Sequence, residues 1–405
     1  MRLFAQHKTF SILLGVIVLM ELAHGIELIA LFPLYLHDRM HEGADAIGIT
    51  LSTYLVADIL TRTPAGWGAD RWARRPMLVL GILLSALPLL FMPRVESRGL
   101  FLLLNTVNGI GAGCIWPAIY AAVADAYRRE QYGLVMGIIN MVMLGGIALG
   151  PIGGGLLLSR VDYETAFDVC FVIVGLALVL VIAFVRERRE EHVPIPGEGR
   201  PVATLVREVN PILVALLLVG LALTLALGIM LPLISLFGRE VLRVSPDTLA
   251  LILVPPAVAA AILIIPAGHW ADRHGRYWPV VSGLVLVAVP FAGAPLSTDP
   301  MIVSAGATLA GIGYALLAPA WNALVMDWIP STARGFFLGA VATMQGIGFA
   351  VGPSLGGVLW ERMGVYAPFE VAAVLLGIAV AIMLRGARWD AFSTSPVVTR
   401  EREQT

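Results

Sequence analysis

Three ionisable side chains recur at every third position within the first long apolar stretch of the chain: Glu21, His24 and Glu27. On a helix, this spacing puts all three side chains on one face. Ionisable groups among apolar neighbours are costly, so they indicate a functional site by default. We predict that Glu21 or Glu27 carries protons or binds a cation; the alternative is a structural network satisfied by Asn, Ser or Tyr side chains. His24 either relays protons or only hydrogen-bonds a carboxylate.

Two further polar pairs lie at helical spacing in later apolar stretches. Asp58 and Arg62 are four residues apart, so their charges can pair on one helix face. We predict a buried structural ion pair, and the alternative is that Asp58 titrates and takes part in proton coupling. Asn105 and Asn108 either hydrogen-bond a substrate or a carboxylate of the first helix, or they only join neighbouring helices.

The composition indicates which elements must position these groups. Of the 405 residues, 58% are hydrophobic and 14% are charged, and the mean hydropathy is +0.85. A helix that crosses a bilayer needs about 20 apolar residues, so the chain has room for roughly a dozen crossings. We therefore expect an all-α membrane protein rather than a soluble domain with one anchor. The charge pattern gives no sign of nucleic-acid binding, and Cys114 and Cys170 lie in apolar runs, where cysteine behaves as a small hydrophobe.

Polar turns divide the chain into predicted helices, six on each side of one long hydrophilic stretch. The predicted spans are about 10–36, 46–66, 77–93, 99–126, 134–158, 163–185, 211–238, 248–268, 278–297, 300–328, 335–360 and 365–385. The hydrophilic stretch is rich in charge and proline, which is typical of an interdomain linker. The predicted domains are an N-terminal six-helix bundle over 1–185, the linker over 186–210, a C-terminal six-helix bundle over 211–390 and a tail over 391–405.

The distribution of positive charge predicts an orientation in the membrane. If the N-terminus is cytoplasmic, 19 of the 27 Lys and Arg residues fall in cytoplasmic segments and seven fall in outer loops. Cytoplasmic loops of membrane proteins carry such an excess. We therefore expect a multi-pass protein of the cell inner membrane with both termini, the linker and the tail in the cytoplasm.

Several unrelated features of the sequence recur at one constant offset of 202 residues. Asp125 corresponds to Asp327, for example, and Pro151 corresponds to Pro353. A register held over about ninety residues indicates an internal repeat. Because each half holds an even number of helices, both copies have the same topology and are related by an axis along the membrane normal. Substrate sites in such folds lie near mid-membrane between the repeats.

The loop GWGADRWARRP, residues 66–76, and its copy GHWADRHGR, residues 268–276, are similar to the signature between helices 2 and 3 of the major facilitator superfamily. The chain resembles this family over essentially its whole length. The resemblance implies twelve transmembrane helices in two pseudo-symmetric six-helix bundles, and a conformational latch that holds the outward-open state. The implied latch residues are Gly66, Asp70, Arg71, Arg74, Gly268, Asp272, Arg273 and Arg276, with Asp125 as an acidic partner for the arginines. One departure is Ala73, where the family motif usually has glycine.

A second motif, GIALGPIGGG at 146–155, resembles the helix 5 motif Gly-x-x-x-Gly-Pro-x-x-Gly-Gly, with a copy, GFAVGPSLGG, at 348–357. In the family this motif is associated with exporters that exchange substrate for protons, so the chain resembles the drug/proton antiporter group. Glycines allow close helix packing, and a proline removes one helix hydrogen bond and favours a bend. The predicted helix-bend residues are Gly146, Gly150, Pro151, Gly154, Gly155, Gly348, Gly352, Pro353, Gly356 and Gly357.

Candidate substrate-cavity residues are polar or aromatic side chains on the predicted helices 4, 5, 10 and 11. Many proton-coupled relatives have an arginine and a glutamine on helix 4, and this chain has two asparagines there instead, which removes a cationic group. The candidates are Asn105, Asn108, Trp116, Tyr120, Asn140, Trp321, Asn322 and Gln345. Aromatic side chains also pack or lie at the membrane interface, so packing is the alternative for each of them. Methionines beside aromatics would suit an amphipathic ligand.

These features favour a secondary active transporter, with proton-coupled export (antiport) of a small amphipathic or drug-like compound by alternating access. The sequence has no phosphate-binding Gly-rich loop with Lys-Ser/Thr that would use ATP. The alternatives are proton symport or facilitated uptake of a metabolite or sugar and, in another class, a non-transporting receptor or scaffold on the same fold. We expect no enzyme, because no His-Glu-x-x-His motif and no concentrated His/Asp set is present. The expected partners are a small-molecule substrate, protons and the lipid bilayer, with no nucleic acid, metal or cofactor, and we expect a monomer.

Overall fold

The computed structural model describes residues 2–71, 74–126, 129–185, 211–329 and 334–387. Within these ranges the chain forms twelve long helices and no strand, which confirms the all-α prediction. Helix α1 runs from Arg2–Gly25 through a π-helical segment, Ile26–Leu31, into Phe32–Asp38. The next five helices are α2 (Ala44–Arg71), α3 (Arg74–Phe91), α4 (Arg98–Ala126), α5 (Arg129–Leu158) and α6 (Tyr163–Phe184).

The second set of six helices follows the predicted linker, and both that linker (186–210) and the predicted tail (391–405) lie outside the described residues. Helix α7 runs through Pro211–Met230 and Leu233–Leu236 and ends in a π-helical turn, Phe237–Val241. The remaining helices are α8 (Pro246–His274), α9 (Tyr277–Gly293), α10 (Pro300–Trp328), α11 (Arg334–Met363) and α12 (Ala367–Ala387).

Capping residues and left-handed glycines set several of the helix ends. The Asp162 carboxylate precedes α6 and accepts a hydrogen bond from the Thr165 N–H at 2.9 Å, and the Asp299 carboxylate caps α10 through the Met301 N–H at 2.8 Å. Hydrogen bonds from Thr165 lower the pKa of Asp162, so this cap is lost only when the pH falls through that lowered pKa. Gly364 has a φ of +103°, which suits glycine in the turn before α12.

Most of the helices match the dimensions of a lipid bilayer. Eleven of the helices in the described ranges are long and apolar enough to cross it, and the remaining helix, α5, shows a shorter apolar run over Leu149–Leu158. Large apolar side chains are exposed, such as Val172 of α6 at 65% and Val374 of α12 at 61%. Such a surface is stable in lipid and not in water. The chain is therefore a multi-span membrane protein.

The helices pack into two compact units. Unit 1 comprises Met1–His192, Leu231–Leu251 and Pro353–Glu361, and unit 2 comprises Val193–Met230, Ile252–Gly352 and Arg362–Thr405. Unit 1 thus contains the end of α7, the start of α8 and part of α11 in addition to the first six helices. The predicted domain boundaries stay a prediction.

The 202-residue repeat is visible in the packing inside each unit. In unit 1, a Cβ atom added to Gly81 of α3 would lie 2.8 Å from the carbonyl oxygen of Gly111 on α4. In unit 2, a Cβ atom added to Gly283 of α9 would lie 2.7 Å from the carbonyl oxygen of Gly313 on α10. Both pairs are 202 residues apart, so the two six-helix bundles contain the same close helix crossing.

The second copy of the latch motif contains an ion pair whose acid, Asp327, corresponds to Asp125 in the repeat. The Arg276 guanidinium is in direct contact with the Asp327 carboxylate, lies 3.8 Å from Asp272 and donates to the Ala323 carbonyl oxygen at 3.0 Å. Arg273 is exposed. In the first copy, the side chains of Asp70, Arg71 and Asp125 lie outside what the structure describes.

The latch glycine of each copy approaches a helix proline. A Cβ atom added to Gly66 would lie 3.6 Å from the Cβ of Pro117, and one added to Gly268 would lie 3.6 Å from the Cβ of Pro319. Both distances are ordinary van der Waals contacts, so an added methyl group would fit at either position. The role of the motif as a conformational latch stays a prediction.

Candidate functional site

The glycines of the first helix-bend motif bring α5 into close contact with α1. A Cβ atom added to Gly146 would meet the Cβ of Glu21, and one added to Gly150 would meet the backbone of Gly25. Larger side chains on this face of α5 would push the two helices apart. The motif therefore sets the position of the helix that carries the predicted ionisable residues.

Glu27 lies in the π-helical segment of α1, Ile26–Leu31, which directly follows Gly25. A π-helical turn holds an extra residue, so it rotates the side chains that follow, and such turns are frequent at functional sites. Glu27 is only 1% exposed. The sequence pattern did not predict this irregular turn, and it helps to decide which neighbours Glu27 meets.

The two predicted asparagines of α4 have different partners. Asn108 donates a hydrogen bond from Nδ2 to Oε2 of Glu27 at 3.2 Å. One turn earlier, Asn105 donates from Nδ2 to the Thr50 carbonyl oxygen of α2 at 2.6 Å. Both asparagine side chains are fully buried. One asparagine therefore contacts a carboxylate of the first helix, and the other joins two helices.

Glu21 and His24 lie on the preceding turn of α1. The Nδ1 atom of His24 is 3.9 Å from Oε1 of Glu21, which is too long for a hydrogen bond. The His24 ring also meets the Tyr54 ring of α2 edge-on, with centroids 6.0 Å apart. Glu21 is 6% exposed. The three ionisable side chains of α1 thus lie in the interior, where Glu21 faces α5, His24 faces α2 and Glu27 faces α4.

Four buried polar atoms of this cluster have no hydrogen-bond partner among the described residues: His24 Nε2, Glu27 Oε1, Asn105 Oδ1 and Asn108 Oδ1. Leaving one buried donor or acceptor unsatisfied costs about 1–3 kcal/mol. A purely structural network would satisfy these atoms with protein partners. The cluster is therefore open to an additional proton, ion or water molecule.

The predicted Asp58–Arg62 ion pair is present on α2. The carboxylate of Asp58 receives two hydrogen bonds from Arg62, one from Nε at 3.0 Å and one from Nη2 at 2.7 Å. Asp58 is buried, but the Arg62 side chain is 48% exposed, so the pair is not buried on both sides as predicted. The bidentate geometry fixes the guanidinium while leaving part of it accessible.

The aromatic candidates of α4 lie together in unit 1. The Trp116 and Tyr120 rings have centroids 5.5 Å apart, and the Tyr120 hydroxyl lies 3.9 Å from the Met143 sulfur. Trp116 is buried and Tyr120 is exposed. The side chain of Asn140 lies outside what the structure describes. This group combines aromatic and thioether surface, as an amphipathic ligand would require.

The candidates of the second repeat lie in unit 2. A Cβ atom added to Gly220 of α7 would lie 3.1 Å from the Trp321 ring and 3.4 Å from Cγ of Gln345. These two side chains therefore flank the same glycine, whereas Asn322 is exposed. Trp321 is buried, which agrees with a packing role as well as with a ligand contact.

A set of polar contacts inside unit 1, which the sequence analysis missed, joins the end of α1 to neighbouring helix ends; we call it the Asp38 end. The Asp38 carboxylate accepts a hydrogen bond from the Tyr163 hydroxyl at 2.7 Å and lies 3.3 Å from the Arg239 guanidinium. Beside it, Nδ1 of His37 is 3.6 Å from Oε1 of Glu240. In the sequence, only the opposite charges at the ends of these helices could have indicated the contacts.

The second half of α11 contributes to the Asp38 end with Ser354 of the bend motif and with Glu361, which follows the motif. The Glu361 carboxylate accepts a hydrogen bond from the Ala44 N–H at 2.6 Å and so caps the first turn of α2. The Ser354 N–H donates to the Ser52 hydroxyl oxygen at 3.0 Å. Residues 352–356 read Gly-Pro-Ser-Leu-Gly, which matches the letters of a hydrolase Gly-x-Ser-x-Gly motif. They lie inside a helix rather than at a strand-to-helix turn, so no nucleophile elbow is formed.

The last glycines of the two bend motifs make equivalent contacts in unit 1. A Cβ atom added to Gly155 of α5 would meet the Pro246 carbonyl oxygen of α8, and one added to Gly357 of α11 would meet the Ala44 carbonyl oxygen of α2. The two contacts are 202 residues apart. The bend motifs therefore hold the starts of α2 and α8 by backbone approach.

Removing the Arg239 side chain is expected to loosen the Asp38 end by a small amount. A half-exposed ion pair contributes about 0.2–1 kcal/mol. Arg239→Ala should therefore raise the equilibrium constant for separation of the contacts at the Asp38 end roughly 1.4- to 5-fold. The measurement is the labelling rate of a cysteine placed at the buried Ala46, with a water-soluble thiol reagent. Arg160→Ala, at an exposed position on the loop before α6, is the control and should leave the rate unchanged. Equal rates in all three proteins would contradict the prediction.

Comparison with curated proteins gives relatives over nearly the full chain. A proton-coupled antiporter flippase, LtaA, from Staphylococcus saprophyticus is 25% identical over 365 residues, covering 88% of this chain and 89% of that protein. Multidrug resistance protein 2 from Bacillus subtilis is 23% identical over 393 residues, covering 95% of this chain and 97% of that protein.

Solved structures share the fold. A bacterial homologue of the human lysosomal transporter Spinster, in an inward-facing and unoccupied conformation, superposes with a TM-score of 0.77 at 16% identity and covers 95% of this chain and 97% of its own. The human organic anion transporter MFSD10 superposes with a TM-score of 0.66 at 19% identity, covering 93% of this chain and 99% of its own. The family model of the Major Facilitator Superfamily matches residues 13–254 and 212–403. The chain therefore belongs to the Major Facilitator Superfamily of membrane transporters.

Proposed function

We propose that this chain is a secondary active transporter that exports a small amphipathic or drug-like compound in exchange for protons. The observation that carries the proposal is the environment of the Glu27 carboxyl group. Its carboxyl group is enclosed in the helix bundle, with one oxygen bound by Asn108 and the other without a partner among the described residues. An ionised carboxylate in such surroundings is costly, so the group gains by taking up a proton or another cation.

The relatives support the two finer parts of this proposal. One is named a proton-coupled antiporter flippase and another a multidrug resistance protein. The first name supports exchange for protons, and the second supports a drug-like substrate. The Trp116, Tyr120 and Met143 surface is where we expect an apolar part of the substrate to bind.

The Asp38 end supplies the moving contacts that alternating access requires. The side chains of its ion pairs are partly exposed to solvent. Its other contacts are single hydrogen bonds and close contacts between a glycine and a neighbouring helix backbone. Each of these contacts is weak enough to break during a transport cycle. The excess of Lys and Arg in the opposite loops favours a cytoplasmic position for the latch motifs. The Asp38 end would then face the outside of the cell inner membrane, and both termini would face the cytoplasm.

The direction of proton movement tests the proposal. The purified chain is placed in liposomes that contain a pH-sensitive dye, without an initial pH difference, and a lipophilic cationic dye such as ethidium is added outside. Exchange for protons should make the lumen more alkaline as the dye enters. Symport would make the lumen more acidic, and facilitated diffusion or a receptor role would leave its pH unchanged. Liposomes without protein give the baseline.

A further inference from the structure

Three oxygen atoms of the Glu27 cluster share one property: each is buried and accepts no hydrogen bond from any residue that the structure describes. They are Glu27 Oε1, Asn105 Oδ1 and Asn108 Oδ1. The assignment of the Asn105 amide follows from its partner. The Thr50 carbonyl oxygen can only accept, so Asn105 must turn its nitrogen toward it and leave its own oxygen free. An ionised Glu27 imposes the same orientation on Asn108.

Helix spacing and one hydrogen bond bring the side chains that carry these oxygens to one part of the bundle. Asn105 and Asn108 are one turn apart on the same face of α4, and Asn108 is in contact with Glu27 across the bundle. Among the described residues, no Lys or Arg side chain hydrogen-bonds these oxygens. The arginine within α2, Arg62, is occupied by Asp58 through two hydrogen bonds.

Carboxylate and amide oxygens are hard ligands, which alkali and alkaline-earth cations prefer. The three oxygens carry one negative charge between them, which a monovalent cation balances, whereas a divalent cation would leave a net charge among apolar side chains. The described residues hold no group of three or more His, Cys, Asp or Glu side chains that could bind a metal ion. We propose that Glu27, Asn105 and Asn108 form a binding site for a monovalent cation, and that this cation is Na⁺.

This inference deepens the proposed function and rests on it for its consequence, that Na⁺ and H⁺ compete for Glu27. A proton on Oε1 would neutralise the carboxyl group and turn that oxygen into a donor, so Na⁺ binding should weaken as the pH falls. The other ionisable groups on the helices around the cluster are Glu21 and His24 on α1, Tyr54, Asp58 and Arg62 on α2, Cys114 on α4 and Cys170 on α6. Helix α5 presents glycines to this part of α1.

The test uses the purified full-length chain in detergent at pH 8. Its thermal unfolding midpoint is measured against increasing NaCl, KCl or choline chloride at constant total ionic strength. The site predicts a saturable rise with NaCl alone. Asn105→Ala keeps Glu27 but removes one oxygen, and should weaken the apparent Na⁺ affinity about 10- to 100-fold. Thr106→Ala is the matched control, because the Thr106 hydroxyl donates to the Leu102 carbonyl oxygen of its own helix, and its Na⁺ affinity should equal that of the unchanged protein.

Equal unfolding midpoints in all three salts would overturn the proposal. The three side-chain oxygens would then be explained by hydrogen bonds from water. A response to KCl as strong as the response to NaCl would overturn the choice of Na⁺. If Asn105→Ala does not fold, Asn108→Ala takes its place, because it also keeps Glu27 and removes one of the three oxygens; an unchanged apparent Na⁺ affinity would also overturn the proposal. Substrate-driven lumen alkalinisation in Na⁺-free liposomes tests the proposed function separately, since it persists if only the Na⁺ site is wrong.

Discussion

Glu27→Gln is expected to abolish proton-driven accumulation of substrate while the protein stays folded. Glutamine has the same shape, and its side-chain oxygen can still accept the hydrogen bond from Asn108. One pH unit corresponds to 1.36 kcal/mol, so exchange of one proton for one neutral molecule supports about a tenfold concentration ratio. In liposomes with a difference of one pH unit, we expect the substrate ratio to fall from about tenfold to close to one.

Two further substitutions make this result specific. Glu164→Gln changes a carboxyl group at an exposed position in the first turn of α6, and its substrate ratio should match that of the unchanged protein. Glu21→Gln tests the second predicted carboxylate, which is buried and lies about 1.7 helical turns before Glu27. A Glu27→Gln protein that accumulates substrate normally would assign proton coupling to another group.

Gly150→Ala is expected to cause the largest loss of stability among single methyl additions to the first bend motif. The added Cβ would meet the Gly25 backbone and lie 2.9 Å from the Ile26 nitrogen, and backbone atoms cannot rotate away. The helices must separate instead, and overpacking of this kind costs about 1–3 kcal/mol. The measurement is the thermal unfolding midpoint of the purified protein. Its transport rate is measured as well, because a displacement of α1 also moves Glu27.

The same helix provides the control for this substitution. A Cβ atom added to Gly145 would have no heavy atom within 4 Å. Gly145→Ala should therefore be neutral or stabilising, since alanine in a helix gains about 0.5–1 kcal/mol over glycine. Gly352→Ala tests the repeat, because its added Cβ would meet the Gly228 backbone in unit 2, and it should destabilise as Gly150→Ala does. Equal midpoints for Gly145→Ala and Gly150→Ala would contradict the close α1–α5 contact.

The helix order and the repeat could be predicted because their signals are local. Apolar runs and the turns between them depend on neighbouring residues only, so α10 was predicted over 300–328 and is found at Pro300–Trp328. The glycine spacing of each bend motif also predicted close helix packing. Gly150 and Gly352 are 202 residues apart, and each approaches a helix backbone within its own unit.

The partners of the polar side chains could not be predicted in the same way. Membrane-bundle helices are apolar on most sides, so the hydrophobic pattern does not fix how each helix is rotated about its axis. The exposure of Arg62 and the choice of Asn108 rather than Asn105 as the partner of Glu27 both depend on that rotation. The π-helical turn at Ile26–Leu31 changes the rotation of α1 again, and no residue type in that turn indicates a π-helix in the sequence.

Unit 1 contains segments from late in the chain, so some of its contacts can form only near the end of translation. The Ala44 N–H that begins α2 is capped by Glu361, which lies 317 residues later in the chain. A ribosome adds about 5–20 residues per second, so this cap becomes available roughly 15–60 s after Ala44 is made. During that time the start of α2 depends on water or other membrane components. A nascent chain that stops in the linker therefore leaves a unit that has its predicted proton-binding residues but lacks the segments that complete the Asp38 end.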